Sequence, residues 1–466
     1  MRAPGPHLSF VSRLAALVSL APLVGCASGP APAPPPTPVA PPSSSSSSAS
    51  PSSSSSASSS ASASASASAP APLTDAAATS SADDTKSSNA FTASLFARVR
   101  KTSPGNLLLS GTSVRQALDI VALGAAPASD TEREMATALA LPTDRAQRAA
   151  AATAETAAWQ AARGSAELAI ANRIWTDQSY STKPDFTAAA NAAFGAGVAS
   201  VDFLHAPDAA RVRINAWAAD ATSHKIENLL APGSVTPSTR LVVANAVYFK
   251  ARWSSTFPAS ATKNEPFTAA AAKTTVPMMH ETSIHRFAQV GTNRVLEMRY
   301  SGSELAMLVV LPDDPSPAAL TKLEESVSSD TFDSWTTALK PHRVTVTLPR
   351  FKFESGGALD TPLQELGMRA AFTPNADFSG IADPVGGQRL QITPVVQRTY
   401  VSVDENGTEA AAATGVVMTA LSAVQAPNAD FKADHPFLFF VYDASRATQA
   451  SRGRILFAGR VAAPRP

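Results

Sequence analysis

Two stretches of this chain have residue types and spacings that chemistry could use. Ser260-Ala261-Thr262-Lys263 matches the Ser-x-x-Lys of hydrolases that acylate on serine. That match rests on two fixed positions in a serine-rich chain, with no Ser-Asp-Asn or Lys-Thr-Gly partner and no Gly-x-Ser-x-Gly elbow elsewhere, so it argues little for hydrolysis. His280 and His285 are the closest histidine pair, and their spacing does not put two zinc ligands on one helix face. The residues therefore predict neither a metal nor a cofactor. The second stretch, Glu405-Asn406-Gly407-Thr408-Glu409-Ala410-Ala411-Ala412-Ala413-Thr414, has what a loop needs if it must later become a buried strand. In a strand, Thr408, Ala410, Ala412 and Thr414 share one small, uncharged face, while Glu409, Ala411, Ala413 and Gly415 share the other. The first face could enter a core without overpacking, Glu409 would stay in water, and Gly407 would supply the hinge. Taken alone, the alanines suit a helix equally well.

The elements around this stretch give it a context. Val395 to Asp404 reads as a strand leading in; Asp434 to Val441 and Gly453 to Val461 read as apolar strands leading out. Strand, Gly-Thr-Glu-Ala hinge, loop, His435-Pro436-Phe437-Leu438-Phe439-Phe440 and Ile455-Leu456-Phe457-Ala458-Gly459-Arg460-Val461 together resemble the serpin family. Further resemblances follow in order: Asn106 to Val114, with Gly111 where proline is usual; Leu241 to Trp253, containing Asn245-Ala246-Val247-Tyr248-Phe249-Lys250; Val276 to Met279; Leu308 to Pro312; Leu348 to Phe351; Leu366 to Met368; and Ala376 to Ile381. Their collinear order covers about 370 residues, from about Asn89 to Pro464.

The resemblance implies an α+β serpin fold of several β-sheets, about nine helices and an exposed reactive-centre loop. It also implies a suicide substrate of serine, and by extension cysteine, endopeptidases rather than an enzyme. A protease attacks the loop and forms an acyl-enzyme; the freed loop inserts into the central sheet and traps the partner in a 1:1 covalent complex. In the family the attacked residue lies thirteen positions after the hinge threonine; counted from Thr408 this is Leu421, so the resemblance implies a reactive bond at Leu421–Ser422, with Ala420 or Ser422 as neighbouring attack sites. Leucine suits a chymotrypsin-like or subtilisin-like pocket, and no Lys or Arg lies between Val416 and Asp430 to suit a trypsin-like one. Gln397 occupies the position of the family's usual histidine. The resemblance places it near Asn245 and the hydroxyls of Ser110 and Ser113, as a latch that holds the sheet shut. Gly111 in place of proline is expected to loosen that corner. The competing reading is a non-inhibitory serpin-fold surface binding protein, which would not need the small-residue hinge.

Local patterns agree with this class. Asn89 to Arg100, Val114 to Leu123, Thr131 to Leu139 and Ala209 to Thr222 read as helices; Ala244 to Phe249, Ala306 to Leu311 and Val344 to Leu348 read as strands. At the N-terminus, Arg2 and Arg13 precede an apolar run from Leu14 to Val24, too short to span a bilayer stably, that ends in Leu23-Val24-Gly25-Cys26. This is a lipobox resembling bacterial lipoprotein precursors. Residues 1–25 read as the signal peptide, and Cys26, the chain's single cysteine, as the lipidated residue that anchors it to the cell envelope, in the outer membrane given Ala27 and Ser28. Residues 26–83 read as a disordered Ser/Ala/Pro tether of about 40 Å mean span, and 84–466 as the folded domain. With 38 basic and 37 acidic side chains, nothing favours nucleic acid as a partner.

Overall fold

Apolar periodicity accounts for most of the architecture in the computed structural model, which describes residues 75–142, 144–195, 197–269, 273–408, 427–445 and 453–465. The helices are α1 (Asp75–Thr102), α2 (Gly111–Leu123), α3 (Asp130–Ala138), α4 (Arg145–Arg163), α5 (Pro184–Phe194), α6 (Pro207–Ala221), α7 (Pro317–Glu325), α8 (Ser329–Ala338) and α9 (Asp360–Glu365). The strands are β1 (Leu107–Leu109), β2 (Glu167–Asp177), β3 (Gly197–Val201), β4 (Leu241–Arg252), β5 (Lys263–Thr268), β6 (Lys273–Val290), β7 (Asn293–Arg299), β8 (Leu305–Pro312), β9 (Lys340–Pro349), β10 (Phe351–Ala358), β11 (Ile392–Val403), β12 (Gly407–Thr408), β13 (Asn428–Lys432), β14 (Phe437–Asp443) and β15 (Ile455–Val461). This is the mixed α+β architecture that the resemblance implies, with nine α-helices among the described residues. Helix α1 starts at Asp75, within the segment the sequence assigned to the tether.

One sheet runs β10-β11-β12-β4-β2-β3, and β11 also pairs directly with β4. The other runs β1-β15-β14-β8-β7-β6-β9-β13, with β5 paired to β6. Strand β4 is buried along nearly its whole length, which is why Leu241-Val242-Val243-Ala244 shows no polar alternation: both faces are covered. On one face Val247 and Phe249, with Val401 and Val403 of β11, enter a core containing Phe267, Met278 and Phe439. On the other, Tyr248, Tyr400 and Val396 pack under Ile214 and Ala218 of α6. A fully buried side chain of this size contributes about 1.5–3 kcal/mol, so the sheet is held from both sides.

Helix α2 begins at the corner where β1 ends. Ser110 caps it, its hydroxyl accepting from the Ser113 N–H. Gly111 follows for a steric reason: a β-carbon there would lie 2.6 Å from the Thr92 Cα of α1. The residue expected to loosen this corner instead lets two helices approach closely.

Candidate functional site: the notch between β4 and β11

Strands β4 and β11 run parallel and paired from Leu241 and Ile392 to Tyr248 and Tyr400. Beyond that point they part, and β12 enters between them, antiparallel to both. Thr408 pairs with Val403 on one side and Ala251 on the other, and Gly407 with Arg252. The first two residues of the predicted hinge thus already occupy a strand position in the central sheet. Thr408 is buried with its side chain on the core face, its hydroxyl 2.8 Å from that of Tyr300. Tyr300 is fully enclosed, stacked on Trp253 at 4.7 Å, and burial pushes its phenol above the usual tyrosine range.

Only glycine fits at 407. Its φ is +158°, and a β-carbon would fall 2.0 Å from the Ala251 carbonyl oxygen.

The turn before β12 is clamped. Trp253 N–H donates to the Asn406 carbonyl at 2.8 Å, Phe257 N–H to the Glu405 carbonyl at 2.9 Å, and the Trp253 indole N–H to the Asp404 carbonyl at 3.0 Å. The Glu405 carboxylate is buried and faces the guanidinium of Arg350, whose Nε lies 2.8 Å from both oxygens while Nη2 and the Thr262 hydroxyl also donate to it. Burial pushes the Glu405 carboxyl up, but the Arg350 and Thr262 hydrogen bonds and the Arg350 charge outweigh it, leaving the group below its usual range. Asp404 has no such cation in contact, and burial raises it.

About halfway down the β4–β11 seam lies a second polar knot. Gln397 Oε1 accepts from Ser110 N–H at 3.1 Å; its Nε2 donates to the Ser110 carbonyl at 2.9 Å and to Asn245 Oδ1 at 2.6 Å. Asn245 Nδ2 in turn donates to the Ser113 hydroxyl and to Asn172 Oδ1 of β2. All of these but Asn172 are fully buried. The expected hydroxyl contact to Ser110 is replaced by its backbone, because that hydroxyl caps α2, and Gln397 reaches Ser113 only through Asn245.

Glu409 to Thr414, Leu421, Ser422 and Cys26 lie outside the described residues. Sequence reasoning missed Arg350, Thr262, Tyr300 and Asn172 as parts of the site. The available signals were a lone cation ending an apolar strand, for Arg350, and a polar residue inside β2, for Asn172. Ser260 and Lys263 are both exposed, so the Ser-x-x-Lys stretch forms no catalytic cleft, and Thr262 within it serves Glu405. His285 meets Glu281 and His280 meets Glu265 on and beside β6; among the described residues no group of three metal-ligating side chains converges.

Comparison with known proteins agrees with this geometry. The family model described as Serpin (serine protease inhibitor) matches residues 86–464. Bovine leukocyte elastase inhibitor is 38% identical over 382 residues, covering 80% of this chain and 97% of its own. An uncharacterised serpin-like protein of Thermococcus kodakarensis is 38% identical over 64% of this chain and 67% of its own. Among solved structures, Serpin48 of the insect Tenebrio molitor superposes with a TM-score of 0.72 at 31% identity, covering 82% of this chain and 99% of its own. The chain belongs to the serpin family. It is a serpin protease inhibitor, a class that inhibits proteases rather than catalysing a reaction.

Proposed function

We propose that this chain is a suicide-substrate inhibitor of serine, and by extension cysteine, endopeptidases of chymotrypsin-like or subtilisin-like specificity, attacked at Leu421–Ser422. The observation that carries the reading is β12, a hinge already seated between β4 and β11 in the antiparallel sense that a longer insertion would continue. Extending its register puts Ala410 between Val401 and Phe249, Ala412 between Thr399 and Val247, and Thr414 between Gln397 and Asn245. Each of these residues would face the core, where small side chains fit. Thr414 would arrive at the Gln397–Asn245 hydrogen bond, so the knot must open for insertion to pass. Each inserted residue gains ladder hydrogen bonds of about 1 kcal/mol, which with apolar burial offset roughly 1–2 kcal/mol of lost backbone freedom per residue. The similarity to a leukocyte elastase inhibitor supports a target that prefers an uncharged side chain at the attacked position.

Cys26 carries the lipid in this reading, and residues 26–83 hold the inhibitor away from the envelope surface. Palmitate labelling that vanishes in Cys26→Ala tests the anchor. The inhibitory reading is tested by incubating the protein with chymotrypsin, subtilisin, elastase and trypsin. A boiling-resistant covalent band together with a released peptide beginning at Ser422 is expected. Cleavage by every enzyme with no covalent band would move the assignment to a surface binding protein.

A further inference from the structure

The turn that feeds β12 contains the chain's single Asn-Gly dipeptide, Asn406-Gly407. Three features make it a reactive one. The side-chain amide of half-buried Asn406 has no hydrogen-bond partner among the described residues, so no hydrogen bond there fixes its carbonyl carbon away from the Gly407 nitrogen. Gly407 offers a backbone nitrogen with no neighbouring β-carbon to block approach, and the Ala251 carbonyl leaves room for no other residue. Finally, Asp404 Oδ1 lies 3.2 Å from the Gly407 nitrogen and 2.8 Å from that of Asn406, accepting from both N–H groups. Burial raises the proton affinity of this carboxylate, which suits it to take a proton.

We propose that Asn406-Gly407 is a self-modifying site that rewrites the hinge as the protein ages. The Gly407 nitrogen attacks Asn406 Cγ and passes its proton to Asp404; the Cγ–Nδ2 bond breaks, ammonia leaves with that proton, and a five-membered succinimide remains. One water then opens the ring. Addition at Cγ gives aspartate, and addition at the main-chain carbonyl gives isoaspartate, whose backbone runs through Cβ and Cγ. No oxidant or cofactor takes part, and Asp404 is regenerated.

Both products disturb what surrounds them. The new carboxylate stands beside those of Asp404 and Glu405, with Arg350 as the cation already committed to Glu405. The isoaspartyl form also lengthens the main chain between the Glu405 clamp and Gly407, so the Trp253-to-Asn406 bond and the Gly407↔Arg252 register cannot both persist. The hinge leaves its notch. On the inhibitory reading above, aged molecules are then cleaved by a protease without retaining it.

The full-length protein, held in warm, mildly alkaline buffer, is digested with trypsin at intervals, and the peptide Thr399–Lys432 is sequenced by mass spectrometry with an isoaspartyl-methyltransferase assay. An isoaspartyl fraction is expected to grow at Asn406, with released ammonia in step, leaving Asn428 in the same peptide unchanged. The signal should be lost in Asn406→Gln and slowed in Asp404→Ser, which keeps a turn-forming hydroxyl but no carboxylate. Limited proteolysis should show the hinge opening in proportion to conversion. Unmodified Asn406 after an incubation that fully converts a synthetic Val403–Glu409 peptide overturns the proposal, as does conversion without hinge opening. A fresh, unmodified protein that traps no protease bears only on the inhibitory reading.

Discussion

Replacing Gln397 by alanine tests whether the mid-sheet knot sets the rate at which the sheet opens. The side chain makes three hydrogen bonds, to Ser110 N–H, Ser110 C=O and Asn245 Oδ1, all fully buried. Removing it orphans Ser110 N–H and Asn245 Oδ1, whereas the Ser110 carbonyl keeps the Val114 N–H of α2; at the lower end of roughly 1–3 kcal/mol each this destabilises the closed sheet by about 2 kcal/mol. The orphaned groups belong to the closed state. Once the β4–β11 seam has parted, Asn245 and Ser110 can meet water or Thr414, so most of the loss lowers the opening barrier. About 2 kcal/mol off a barrier speeds a process by about thirtyfold. The assay is the spontaneous conversion of uncut protein, on mild warming, to a loop-inserted form that resists denaturant and no longer inhibits. Gln397→Met, close in volume, separates lost hydrogen bonds from lost packing and should convert nearly as fast as the alanine variant. If both variants convert within about a factor of two of the parent while denaturant titration shows the stability loss, the knot is ordinary buried polarity and does not gate the sheet.

Further outcomes follow from the hinge and the loop. Arg350→Met leaves the Glu405 carboxylate buried with only Thr262 as a side-chain partner, and stability should fall by about 2 kcal/mol, below the usual cost of breaking a buried pair because Arg350 is 38% exposed. The pH dependence has a definite sign: Glu405 sits below its usual pKa, so its contribution is present above the unfolded-state value, near 4.5, and is lost as pH falls through the folded one. The difference in melting temperature between parent and Arg350→Met should therefore shrink as pH drops from about 6 to about 3, and a constant gap refutes the pair as its source. Gly407→Ala cannot keep β12 seated, so limited proteolysis should cut between Glu405 and Glu409 far faster than in the parent; equal rates would show that β12 is not held there. Leu421→Arg should shift trapping from chymotrypsin to trypsin by about a hundredfold in relative rate, and an unmoved preference would place the reactive bond elsewhere.

Several elements were legible from residue pattern alone because their information is local. The periodicity of Asn89 to Arg100 and of Val114 to Leu123 lies within α1 and α2, and the apolar runs around Ala244, Ala306, Val344 and Phe437 lie within β4, β8, β9 and β14. The collinear motifs carried the family, which the match over residues 86–464 and the bovine relative then showed. Gly407 and Thr408 drew notice by residue type alone, a position without a β-carbon followed by a small residue, but the Ala251 carbonyl that excludes a β-carbon at 407 and the Tyr300 hydroxyl that meets Thr408 come from elsewhere in the chain.

What tertiary structure decided is every pairing that joins distant positions. Glu405 and Arg350 are 55 residues apart, and nothing in either neighbourhood says that a guanidinium will close over that carboxylate. Tyr300 meets Thr408 across 108 residues because β12 is seated between β4 and β11, and Asn245 meets Asn172 across 73 because β4 is paired with β2. The same holds for Gly111. By itself a glycine for proline reads as slack, and only the packing of α1 shows the place of its missing β-carbon taken by Thr92. Local propensity chose the elements; the partners were chosen by sheet register and helix approach, which depend on the whole chain folding at once.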